Sequence, residues 1–133
     1  MTNQDIIGLV GEELCQFNDP DERRRIETIL LPAPEQHMRY WDYGDAGEVY
    51  PCWRIASTEH FHIVFSCYGH GRNNEPFGCR WGVQEIGEEW FDYEGDQWTT
   101  SANKEWFGPD SRWSPSLHGA YLKLVDFSKG EAP

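Results

Sequence analysis

Basic residues are scarce in this chain. Lys and Arg supply 11 positions against 23 for Asp and Glu in 133 residues, which leaves a net charge of −12. The first of them is Arg23, and the pI is near 4.7. A surface of that sign repels phosphate backbones and anionic lipid. It argues against nucleic-acid and membrane-surface binding, and it favours solubility and fast encounter with a basic partner. Long apolar runs are missing too. Residues 1–10, MTNQDIIGLV, have no basic start and only a short apolar stretch, unlike a secretory signal or a membrane span. The expectation is a cytoplasmic, bacterial-type setting in which thiols stay reduced. The four cysteines, Cys15, Cys52, Cys67 and Cys79, fall at irregular spacing and make no disulfide framework. No Gly-rich phosphate loop, no Gly-x-Ser-x-Gly elbow, no zincin helix and no internal repeat occurs.

Aromatic residues, in contrast, make up 15% of the chain, with seven Trp, far more than a disordered acidic segment carries. The length suits one folded domain spanning residues 1–133. Its organising stretch is residues 48–86, where three runs with strand periodicity lie end to end. Val49, Trp53 and Ile55 alternate with Tyr50, Cys52 and Arg54. Phe61, Ile63, Phe65 and Cys67 then alternate with His60, His62, Ser66 and Tyr68. A hairpin closed by residues 57–59 sets Trp53 opposite Ile63 and Ile55 opposite Phe61. In the third run, residues 78–86, the same face holds Cys79, Trp81 and Val83, facing Cys67, Phe65 and Ile63. The opposite face, with Tyr50, Cys52, Arg54, His60 and His62, is then the wet one.

The flanks read as follows. Thr2 and Asp5 form a capping box ahead of Ile6, Val10, Leu14 and Phe17 at helical spacing. Asn18 or Asp19 caps a second helix with Pro20 in its first turn, buried through Ile26, Ile29 and Leu30 and ended by Pro32 and Pro34. The run Arg23, Arg24, Arg25 reads as a solvated face paired with nearby carboxylates. Residues 37–43 form a strand, and residues 69–78 a long loop that interrupts the ladder. Two short strands flank Glu94, Gly95 and Asp96, residues 101–107 make a helical turn, and residues 108–118 are irregular. Residues 120–127 form the last strand, and 128–133 are a tail. The fold class is α+β: a helical part (1–34) with two N-terminal helices packed on one face of a mainly antiparallel sheet (37–127) of about five or six strands.

The most distinctive chemistry is the interleaving of acids and aromatics over residues 85–98. Glu85, Glu88, Glu89, Asp92, Glu94 and Asp96 alternate there with Trp90, Phe91, Tyr93 and Trp98. Interfaces concentrate aromatics at a desolvated centre and use a charged rim to steer the partner. In size, charge and lack of a catalytic motif, the chain resembles immunity proteins and antitoxins as a type, though not in sequence. That implies a small acidic domain, monomeric or weakly homodimeric, that covers a basic protein partner such as a toxin domain. Its partner-binding residues are Glu85, Glu88, Glu89, Trp90, Asp92, Tyr93, Glu94, Asp96 and Trp98. His70, Arg72 and Asn73, in the 69–78 loop, are further candidates.

The alternative is an aromatic-lined pocket for a small molecule or sugar, with carboxylates on the hydroxyls and Glu88, Glu89 and Asp92 available for hydrolysis. His60, His62, Cys67 and His70 fall close in sequence, but strand parity sends His60 and His62 to the face opposite Cys67, so no metal site is assigned. No cofactor or catalytic residue is assigned either. A cysteine nucleophile would need a histidine within hydrogen-bond reach; Cys67 and His70 are too close in sequence to serve, and Cys52 or Cys79 could meet a histidine only through folding.

Overall fold

The computed structural model describes residues 2–39, 48, 50–72, 75–86, 91–94, 97–100 and 110–131. Two helices open the chain, α1 (Asn3–Leu14) and α2 (Pro20–Ile29). Thr2 caps the first: its Oγ1 accepts the Asp5 N–H at 3.3 Å, while Asp5 Oδ2 accepts the Thr2 N–H at 2.8 Å. Asp19 caps the second by accepting the Asp21 N–H at 2.8 Å. The second helix does not end in a proline loop. It runs directly into β1 (Leu30–Arg39), so Pro32 and Pro34 lie inside a strand. They are tolerated because β1 is an edge strand, hydrogen-bonded only to its successor.

The remaining strands are β2 (Tyr50–Ser57), β3 (Phe61–Arg72), β4 (Glu75–Glu85), β5 (Phe91–Glu94), β6 (Gln97–Thr100) and β7 (Trp113–Ser114). The main sheet has the order β1-β2-β3-β4-β7 with every pairing antiparallel, and β5 and β6 form a separate two-stranded ribbon. The expected α+β architecture is present. Its core joins Trp53, Ile55, Phe61, Ile63, Phe65, Trp81 and Val83 of the sheet to Ile6, Val10, Phe17 and Ile26 of the N-terminal segment.

Five further sequence expectations need correction. First, residues 120–127 are helical, inside α3 (Leu117–Glu131), and 128–131 continue that helix instead of forming a tail. Leu117, Ala120, Tyr121 and Leu124 are its buried positions, spaced at helical period, and they cover the same sheet face as α1 and α2. The alternation of Leu122, Lys123 and Leu124 mimics a strand, but Leu122 is left exposed.

Second, β2 and β3 pair later than a three-residue turn would dictate. Trp53 faces Phe65 and Arg54 faces Val64, and then Ala56 faces Ile63 and Ser57 faces His62. The turn closes through the Thr58 N–H donating to the Phe61 carbonyl at 2.8 Å. A bulge at Ile55 then turns two successive residues, Ile55 and Ala56, toward the core.

Third, Ile63 faces Val83 and Phe65 faces Trp81 as expected, but the register shifts beyond Phe65, so that His70 and not Cys67 lies opposite Cys79. Cys67 packs on the main core, and Cys79 joins the opposite face. Fourth, residues 69–78 do not interrupt the ladder. Arg72 pairs with Glu75, leaving two residues, Asn73 and Asn74, between the strands.

Fifth, the second sheet face is not wet. Cys52 and Val64 are 0% exposed and Trp113 is 1% exposed, in a cluster with Cys79. Trp113 lies opposite Gly82, where a Cβ would stand 2.7 Å from the indole Cδ2 and Cε2 atoms, so the missing side chain lets the ring close on the strand.

Candidate functional site

The acidic and aromatic segment is brought together only in part among the described residues. Glu85 ends β4 opposite Phe61 and is half-buried. Glu88, Glu89, Trp90 and Asp96 lie outside the described residues, as do residues 101–107. In the ribbon, Phe91 pairs with Thr100, Asp92 with Thr99, Tyr93 with Trp98 and Glu94 with Gln97. Successive strand positions alternate between faces. Phe91, Tyr93, Trp98 and Thr100 therefore occupy the register positions of one face, and Asp92, Glu94, Gln97 and Thr99 those of the other. Within the described ribbon, the aromatic positions 91, 93 and 98 and the acidic positions 92 and 94 thus take alternate register faces. Of the loop candidates, His70 and Arg72 are ladder residues of β3, and Asn73 is outside the described residues.

A concave site that the sequence did not disclose lies between α1 and β4. Leu9, Glu12 and Glu13 of α1, Phe65 of β3, Gly78, Arg80 and Trp81 of β4, and Pro115 enclose about 300 Å³. Trp81 and Phe65 form its floor, and their rings lie 4.7 Å apart at 56°. Glu12 and Arg80 are exposed at its walls. Glu13 Oε1 is occupied, accepting the Leu117 N–H at 2.8 Å. An aromatic floor with an Arg and a carboxylate at the rim suits a polar small molecule. No local motif marks it, because its charged residues come from segments about 70 positions apart in the chain.

The second sheet face carries buried polar groups as well. Ser57 Oγ lies 2.6 Å from His62 Nδ1, and His62 faces Gln84 across the ladder. Ser66 Oγ donates to the Pro51 carbonyl at 2.9 Å and accepts the Tyr68 N–H at 3.2 Å. These bonds satisfy hydroxyls that would otherwise be costly to bury. His60 is exposed in the turn beside Glu59, His62 bonds Ser57 and Cys67 packs on the main core, while the ladder sets His37 opposite Cys52 and His70 opposite Cys79. Among the described residues, no group of three His, Cys, Asp or Glu side chains could hold a metal ion. No described helix is long and apolar enough to cross a membrane.

Comparison of the chain with known protein families, with curated proteins and with solved structures finds no match.

Proposed function

We propose that this chain is a small acidic protein-binding domain that covers a basic surface on a partner protein, in the manner of an immunity protein or antitoxin masking a toxin domain. The observation that carries this reading is the ribbon β5–β6, which sets Tyr93 and Trp98 as cross-strand partners with Asp92 and Glu94 at the alternate register positions. A tyrosine and a tryptophan at cross-strand register positions are the residue types on which interface affinity concentrates. The acidic residues of the same segment, with the net charge of −12, supply the field that steers a cationic partner. The free domain acts in the cytoplasm as a monomer or weak homodimer, without nucleic acid, membrane or cofactor.

The test is capture of partners by the purified chain from its own cell extract at low salt, with elution along a salt gradient. A stoichiometric basic protein should be retained by the native chain and lost by a variant with Glu88, Glu89 and Asp92 changed to Lys. Equal retention by both would overturn the assignment of this segment.

A second reading is favoured by one observation, the site of about 300 Å³ floored by Trp81 and Phe65 with Glu12 and Arg80 at its walls. It would take a polar small molecule, with sugars the leading class because charged walls can bond their hydroxyls. Saturable binding of a sugar, abolished by Arg80→Ala, would favour this reading over the first.

A further inference from the structure

The triple arginine of α2 is not one uniform charged face. Arg23 pairs with Glu27 at 2.9 Å, and Arg24 pairs with Asp21. Arg25 has neither arrangement. It lines an open groove of about 530 Å³ between the end of α2 and α3, with Ile29, Tyr121, Leu124, Val125 and Lys129. Neither Arg25 nor Lys129 has a carboxylate partner among the described residues. The groove lining therefore carries two cations and no acid, in a chain where acids outnumber bases 23 to 11.

We infer that this groove is a binding site for a carboxylate with a short apolar tail, of the medium-chain fatty acid class. Its size falls within the roughly 300–1,000 Å³ typical of small-ligand sites. Half-buried Ile29 and Val125, over the buried Tyr121 and Leu124, make an apolar floor that a bare anion could not use. Exposed cations alone hold such an anion weakly, because solvent and salt screen them. A neutral apolar molecule fills the floor and leaves both cations without a partner. A chain with an apolar tail and a terminal carboxylate uses both, and the planar guanidinium of Arg25 matches a carboxylate through two parallel hydrogen bonds. The net charge of −12 opposes anions over the molecule as a whole, so any preference of this groove for one comes from the two cations of its lining.

The experiment is an NMR titration of the full ¹⁵N-labelled chain with octanoate, with octan-1-ol and with acetate. Octanoate should give saturable shifts centred on the last turn of α2 and on α3, and octan-1-ol and acetate should bind about tenfold more weakly or not at all. A variant with Arg25→Gln and Lys129→Gln, both at exposed positions, should lose about tenfold in octanoate affinity while keeping the native Tm and the native capture of basic partners. Equal binding of octan-1-ol, full affinity in the double variant, shifts centred elsewhere or the absence of saturable shifts would each overturn the inference. So would saturation of the groove by an acidic, leucine-containing peptide in a chain that ignores octanoate, since the occupant would then be a protein segment.

Discussion

Glu13 on α1 accepts the backbone N–H of Leu117, the first residue of α3, at 2.8 Å across 104 positions of sequence. A helix N-terminus has N–H groups without internal partners, and a carboxylate there also complements the helix dipole. Ser116 Oγ accepts a second of those N–H groups, from Gly119, at 3.0 Å. His118 meets Glu22 of α2 at 3.2 Å and stands edge-on to Phe17, with ring centroids 4.9 Å apart. The three helices are thus tied at one end by side chains from all of them. Replacing Glu13 by Ala is expected to cost about 1 to 2 kcal/mol in urea unfolding, with Glu13→Gln costing less because an acceptor remains. A loss no larger than that of a surface control would show that the bond adds no stability.

Gly82 sits under the indole of Trp113, with 2.7 Å left for a Cβ. Gly82→Ala should therefore destabilise the fold by about 1 to 3 kcal/mol through overpacking. The penalty should shrink when Trp113 is replaced by Leu, a non-additivity that a double-mutant cycle reads directly. Strict additivity would place the ring away from the strand.

Trp53 and Phe65 are opposite one another on the main core face and are almost fully buried. Truncating either to Ala leaves a cavity and is expected to cost about 3 to 5 kcal/mol. A loss below about 1 kcal/mol would mean that this face is not the packed one.

Asp5 is held below the ordinary aspartate range, first by the backbone N–H of Thr2 and then by the Thr2 hydroxyl. A carboxyl with a lowered folded-state pKa stabilises the fold above its unfolded pKa, and that contribution disappears as pH falls through the folded value. Asp5→Asn should therefore narrow the gap to the native chain as pH drops from about 4 downward, with the full difference present at neutral pH. Parallel stability curves for the two proteins across that window would remove the carboxylate from the cap.

Charge reversal at Glu88, Glu89 and Asp92 should leave stability within about 0.5 kcal/mol of the native chain. It should slow association with a basic partner at low salt, and the difference should fade as ionic strength rises. An unchanged association rate at low salt would remove these residues from the interface.

The sequence by itself determined the features governed by local chemistry. Thr2 with Asp5 and Asp19 with Pro20 start the two helices where their caps place them. The pairings Phe65–Trp81 and Ile63–Val83 follow from period-two alternation, and the two short strands flanking residues 94–96 pair with each other as their spacing suggests. Tertiary structure decided what alternation cannot encode. A bulge at Ile55 and the register shift after Phe65 insert residues without leaving a polarity signature, and they moved Cys79 to the face opposite Cys67. Residues 120–127 carry both helical and strand periods. Burial of Leu117, Ala120, Tyr121 and Leu124 against the sheet selected the helix.

Parity named the outward face of β2, but only the arrival of Trp113 from a distant segment made that face a second core. The pocket between α1 and β4 and the groove between α2 and α3 are likewise products of packing. Each gathers side chains that are far apart in the chain, so no local spacing could announce them.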